Sequence, residues 1–178
     1  MNADPLNPTS LADQGKQEYQ KGSYLAAADL FLRAAQAYAS ARDELNAAEM
    51  KNNQSVALLQ AGKAKEALQA TDGTEQIFEQ AGDLKRKAIA VSNRAAALES
   101  LKKWNEALAE YDRAASLFEQ LGEGDMHSTV RKAAANIHLK RGHIVDSQMD
   151  VYDSLRLVKK PTLSQRLIKF LMRIGLVR

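Results

Sequence analysis

The chain has 178 residues, 45% hydrophobic and 26% charged, a balance that suits one soluble globular domain and excludes a disordered chain. It contains no cysteine, which rules out disulfides and thiolate zinc sites and fits a reducing compartment. The net charge of +3 is uneven: Lys159, Lys160, Arg166, Lys169, Arg173 and Arg178 have no acidic residue among them, leaving 19 basic against 22 acidic residues elsewhere, too few for the basic face a nucleic-acid binder needs.

In chain order, MNADPLNPTS has neither a basic nor an apolar leader region, so residues 1–8 are expected to be a disordered N-terminus rather than a signal peptide. No uncharged run approaches the roughly 18 residues a membrane span needs. Proline occurs only at Pro5, Pro8 and Pro161, so helices are expected throughout residues 9–160. A forty-residue echo organises that segment. Gly22, Gly62 and Gly142 share a register, as do Ala27, Ala67 and Ala107 with Ser147, Tyr24, Ala64, Trp104 and Ile144, and Tyr38, Phe78, Phe118 and Val158. Four units follow, at 9–42, 43–82, 83–122 and 123–158, each a pair of helices: 10–21 with 24–41, 44–61 with 64–81, 84–101 with 104–121, and 126–141 with 144–158. Glycines end helices through positive φ, and Asp43, Asp83 and Asp125 are placed to cap the helices that follow. In the second helices, small residues seven apart (Ala27 and Ala34, Ala107 and Ala114) flank an aromatic (Phe31, Tyr111), a pattern for close helix contact with the ring filling the space between. The second unit departs most: Thr71 and Thr74 replace the aromatic and the small residue, and Gly73 sits inside the expected helix.

Gly15, Gly22-Ser23-Tyr24, Ala27, Phe31 and Ala34, matched in the third unit by Trp104, Ala107, Tyr111 and Ala114, resemble the tetratricopeptide repeat over residues 9–158. The resemblance implies an all-α, right-handed superhelix of four helix pairs followed by a C-terminal helix. The family's closing proline is replaced by Ala39, Glu79 and Glu119, so the second helices can run on and lengthen the repeat to forty. A HEAT-like array of similar period is the structural alternative. The string Ala28-Asp29-Leu30-Phe31-Leu32-Arg33-Ala34-Ala35 is also similar to the helical adaptors of vesicle-fusion disassembly.

The tetratricopeptide likeness implies a concave groove lined by first helices, where Asn53 and Asn93 would grip the backbone of a bound peptide; an exposed polar face is the competing reading. Lys16, Tyr19, Glu49, Asn52, Val56, Leu59, Ala96, Glu99 and Asn136 would be neighbouring groove positions. The family's carboxylate clamp matches only at Asn53, because Ala12 and Asn93 stand where a lysine and an arginine are wanted, so chaperone tails are not the expected ligand.

After Pro161, Thr162 and Gln165 form a capping box for a basic amphipathic helix over 161–178. Leu163, Leu167, Phe170, Leu171, Ile174 and Val177 share one side, and Arg166, Lys169 and Arg173 an adjacent strip. This helix either caps the last repeat, lies on anionic lipid, or docks on a partner or into the protein's own groove, with Arg166, Lys169, Phe170 and Arg173 as the lipid- or partner-contacting residues. His138 and His143 stand on either side of a break at Gly142, so they do not share a helix face. His143, Asp146 and Asp150 could line one helix side, but the repeat register turns Ser147, Val151 and Ser154 inward and those three to solvent, so no metal site is expected. There is no phosphate loop, nucleophile elbow or HExxH, so neither catalysis nor a cofactor is expected. The function read from sequence is a non-catalytic, cytoplasmic adaptor that binds a protein or peptide; a membrane-peripheral scaffold held by the C-terminal helix is the alternative. Nothing in the sequence sets an oligomeric state.

Overall fold

The computed structural model describes residues 7–173. Its helices are α1 (Pro8–Gln20), α2 (Tyr24–Ser40), α3 (Glu44–Gln60), α4 (Ala64–Ala70), α5 (Thr74–Gln80), α6 (Leu84–Ser100), α7 (Trp104–Gln120), α8 (Gly124–Lys140), α9 (Ile144–Arg156) and α10 (Leu163–Arg173). No strand occurs among the described residues. The chain forms two compact units, one ending at Lys103 and the other beginning at Trp104.

Helix length and turn geometry set the period. The helices α2, α3, α6, α7 and α8 are each 17 residues long. Three-residue turns separate them, so the chain reverses every twenty residues and a helix pair spans forty. In each turn one residue takes positive φ: Gly22, Arg42, Gly62, Gly82, Lys102, Gly122 and Gly142. A paired bond pattern closes the turn around it. At Gly22, its N–H donates to the Tyr19 carbonyl at 3.0 Å, and the Ser23 N–H donates to the Glu18 carbonyl at 2.9 Å. Arg42 and Lys102 make the same two bonds without the freedom of glycine.

Asp43 and Asp83 cap α3 and α6, accepting from the Asn46 and Arg86 N–H groups at 3.1 and 2.9 Å. Asp125 does not cap. Glu123 is the N-cap of α8, and Asp125 lies in the first turn, where its carboxylate faces the positive end of the helix dipole. Asn7 and Pro8, expected in a disordered N-terminus, instead start α1: Asn7 accepts from the Thr9 N–H at 2.9 Å and Pro8 occupies the first helical position. Residues 1–6 lie outside the described residues.

The helix expected over 64–81 is broken. Gly73 adopts φ 78° and divides it into α4 and α5, of seven residues each. The Thr71 hydroxyl donates to the Leu68 carbonyl at 2.7 Å and the Thr74 hydroxyl to the Thr71 carbonyl at 2.8 Å, each reinforcing a backbone N–H bond to the same oxygen at the break.

In the first unit α1 packs on α2, α2 on α3, and α3 on α4, α5 and α6. Its core is built largely of alanine: Ala27, Ala28, Ala34, Ala35 and Ala57 surround Leu11, Phe31 and Met50. These small side chains let α2 approach its neighbours closely, and Phe31 fills the remaining space. Gly15 belongs to the same contact, because a Cβ there would lie 2.8 Å from the Phe31 ring. In the second unit α7 packs on α8, α8 on α9 and α9 on α10. Ala107, Tyr111, Ala114 and Phe118 repeat the α2 pattern and are buried.

The left-handed conformation costs an L-residue about 1–2 kcal/mol. Arg42→Gly and Lys102→Gly should therefore each raise the unfolding free energy by about 1 kcal/mol, read as a higher urea midpoint at unchanged slope; a lower midpoint for both would refute this account of the turns.

Candidate functional site

The first unit holds a cavity of about 330 Å³ lined by Lys16, Tyr19, Gln20, Phe31, Glu49, Asn53 and Val56. Lys16, Tyr19 and Gln20 come from α1, Phe31 from α2, and Glu49, Asn53 and Val56 from one face of α3 at helical spacing. Its lining combines two aromatic rings with one cation, one anion and two amides, Gln20 and Asn53. The Tyr19 ring is held edge-on by Tyr24, with centroids 5.3 Å apart. Glu49 is held from α6 by Arg86, whose Nη1 donates to Oε2 at 3.1 Å. The Arg86 Nε also donates to Asp83 at 2.6 Å, and its guanidinium lies 5.4 Å from the centre of the Phe78 ring. The hydrogen bond to Asp83 pushes the Arg86 pKa up, so this cation stays charged beside the groove. Asp83 is held below the usual carboxylate range, first by the Arg86 N–H it accepts.

Of the sequence-predicted groove residues, Lys16, Tyr19, Glu49, Asn53 and Val56 meet at this cavity. Leu59 is half-buried on α3, and Asn93 and Ala96 are half-buried on α6; none is among the lining residues. Asn136 is exposed on α8, in the second unit. Asn52 is not a groove residue. It is buried, and its Oδ1 lies 3.2 Å from the Thr74 hydroxyl, whose one proton it shares with the Thr71 carbonyl, tying α3 to the break between α4 and α5. Glycine at 73 and threonine at 74 were the signal for this pairing, but the partner lies 22 positions away and only the fold supplies it.

A second cavity, of about 440 Å³, opens between α9 and α10 and is lined by Tyr152, Arg156, Arg166, Lys169 and Phe170. The capping box that starts α10 forms as its residues suggest: the Thr162 N–H donates to Gln165 Oε1 at 2.8 Å and the Gln165 N–H to Thr162 Oγ1 at 3.3 Å. Leu163, Leu167 and Phe170 are 83%, 57% and 54% exposed, so α10 does not spend its apolar side on covering α9. The cavity wall carries three cations and no acid. Arg156 is fixed by Asp153 and Glu119, each accepting at 2.8 Å, and these bonds push its pKa up. The side chain of Arg173, and the whole of Ile174 and Val177, lie outside the described residues.

Further along α8 and α9 the charges are layered. Arg131 pairs with Asp153 at 2.7 Å, Asp150 at 3.5 Å and also Asp112. Beside it His127 is fully buried, its Nε2 3.5 Å from Asp153. Desolvation lowers the His127 pKa, outweighing the nearby Asp153 carboxylate, with Arg131 and Arg156 lowering it further. Burial raises the Asp150 pKa against the pull of Arg131 and His138. Asp150 is therefore not the solvated residue its register suggested. His138 and His143 stand on either side of the break at Gly142, and their rings stack with centroids 5.9 Å apart because that turn folds one helix end onto the next helix start.

The family model for soluble NSF attachment proteins (SNAP) matches residues 14–173. The chain belongs to the SNAP family. A search of curated protein sequences gives no match. Among solved structures, BtubC (BKLC) from P. vanneervenii is similar at a TM-score of 0.75 and 16% identity, over 87% of this chain and 67% of that one. That likeness concerns the fold, an all-helical solenoid, which the SNAP family model supports at the level of sequence. Among the described residues no helix is long and apolar enough to cross a membrane.

The lowered His127 pKa sets a pH dependence with a definite sign. In the unfolded chain this imidazole takes a proton near its ordinary 6.5, whereas in the fold it resists, so its contribution is present above that value and lost as pH falls below it. Lowering the pH from 7.5 to 5.5 should reduce the thermal midpoint, and His127→Leu should flatten that slope; an unchanged slope would show that His127 does not carry it.

Proposed function

We propose that the chain is a non-catalytic, cytoplasmic protein-binding adaptor that takes a protein or peptide segment into the cavity formed by α1, α2 and α3. The observation that carries this reading is the convergence of Lys16, Tyr19, Glu49, Asn53 and Val56 on one concave site in a member of an attachment-protein family. Two aromatic rings offer apolar contact, the Asn53 amide can donate to and accept from an extended backbone, and Lys16 with Glu49 reads flanking charge. Within the units, the packed pairs α1 with α2 and α8 with α9 act as tetratricopeptide-like repeats. The family's name makes an NSF-type ATPase the first partner to test.

Immobilised full-length chain should capture a protein partner identifiable by mass spectrometry. Lys16→Glu with Asn53→Ala should weaken that capture at least tenfold, about 1.4 kcal/mol, while the helical circular-dichroism spectrum stays unchanged. Capture undiminished in the double variant rejects the groove.

A second reading rests on α10, where Leu163, Leu167, Ile168 and Phe170 are exposed beside Arg166 and Lys169 with no acidic residue in the helix. That combination suits the surface of an anionic membrane. Full-length chain should co-sediment with phosphatidylserine vesicles, and Leu167→Glu with Lys169→Glu should release it. If the wild-type chain stays in the supernatant, α10 is not a lipid anchor.

A further inference from the structure

The turn between α8 and α9 brings together a set of side chains that neither the adaptor reading nor the family assigns. His138 lies in the last turn of α8, His143 is the N-cap of α9, and Asp146 is in the first turn of α9. The His143 N–H donates to the His138 carbonyl at 2.9 Å, and Gly142 between them has φ 78°. The same tight turn that ends the helix therefore sets the two imidazoles against each other. Asp146 Oδ2 lies 3.6 Å from His143 Nδ1 and 3.9 Å from His138 Nδ1. One ligand atom from each of the three residues lies within 4.8 Å of the others.

We propose that His138, His143 and Asp146 form a zinc-binding site. Three observations beyond proximity support it. First, His138 Nδ1 is buried without a hydrogen-bond partner, an unusual state for a ring nitrogen that a bound cation would resolve. Second, the other nitrogen of the same ring, Nε2, lies 3.7 Å from Asp150 Oδ2, and the Asp150 side chain is only 15% exposed. Asp150 stands behind the ring, where a small side-chain rotation would bring its carboxylate to the Nε2 N–H and set the tautomer that leaves the lone pair toward the metal. Third, the neighbouring cations are engaged elsewhere: Arg141 Nη1 donates to Asn105 Oδ1 at 2.7 Å, and Lys140 Nζ lies 5.8 Å from the centre of the Trp104 ring.

The donor set points to a first-row divalent ion, of which zinc needs no redox chemistry and accepts a four-coordinate site. Two imidazole nitrogens and one carboxylate suit Zn²⁺, whereas Ca²⁺ and Mg²⁺ require mostly oxygen donors. Zinc bonds of about 2.0–2.1 Å place tetrahedral ligand atoms roughly 3.3–3.4 Å apart. The two separations from Asp146, 3.6 and 3.9 Å, exceed that by a few tenths of an ångström, and the two imidazole nitrogens lie within 4.8 Å of each other. His143 and Asp146 are exposed enough to close the difference by side-chain rotation.

Zinc chloride titrated calorimetrically into the untagged full-length chain at pH 7.5 should give a saturable one-to-one isotherm. His143→Ala and Asp146→Ala, both at exposed positions, should each abolish it without altering the helical circular-dichroism spectrum. Asp150→Asn should retain binding but weaken it about 10- to 100-fold. Cobalt in place of zinc should give visible d–d absorption that the two ligand variants lack. Zinc binding by His143→Ala and Asp146→Ala equal to wild type, or no one-to-one binding by the wild type, overturns the proposal. No partner protein or vesicle enters the titration, so its outcome is separate from the fate of the groove and of α10.

Discussion

A single left-handed residue every twenty positions is the constraint from which the rest of the molecule follows. A 17-residue helix followed by a three-residue reversal leaves little room for variation. The first N–H after the helix must turn back onto the helix's own carbonyls, and the next helix must start at once. The bonds around Gly22, repeated around Arg42 and Lys102, satisfy carbonyls that would otherwise be stranded at helix ends. With the turns fixed, side chains at matching positions of successive helices recur in register, which is why an alanine core serves so long a stretch. Close approach requires small residues only where helices cross, and the sequence supplies them there.

The two candidate surfaces differ in the physics that could drive binding. The α1–α3 cavity is small and aromatic, with its acid tied to Arg86, so its charges are already positioned before a ligand arrives. The α9–α10 cavity is cationic and bordered by exposed leucine and phenylalanine. A site of the first kind gains selectivity from shape and from backbone recognition. One of the second kind gains strength from apolar area and from the density of anionic charge opposite it, and so loses it as salt rises.

Much of this was legible in the sequence, for reasons that particular residues make clear. The echo of Ala27 in Ala67 and Ala107 survives because a helix crossing tolerates only small side chains. The left-handed residue in every turn was less plain, because Arg42 and Lys102 occupy turn positions that elsewhere hold glycine. Asp125 imitated a cap because an acid near a helix start has two uses, and only the turn geometry separates them. Asn52 and Asn53 are adjacent in sequence yet opposite in fate, one bonded inside the core and the other at the cavity. Rotation by one residue on a helix is about 100°, and at a groove edge that step decides which amide is available. The pairing of His138 with His143 was missed because each was read on its own helix, while the turn that joins them was read only as a stop.

The break at Gly73 has a consequence for the timescale on which parts of the first unit open. Seven-residue helices are far too short to hold together alone, so α4 and α5 persist through Thr74, Asn52 and the packing of Phe78 beneath Ala48 and Ala90. Their amide protons have fewer helical bonds to break than those of the 17-residue helices on either side. Exchange with solvent would therefore proceed through a local opening of residues 64–80 well below the free energy of global unfolding. The second repeat is thus where the solenoid can yield first without coming apart.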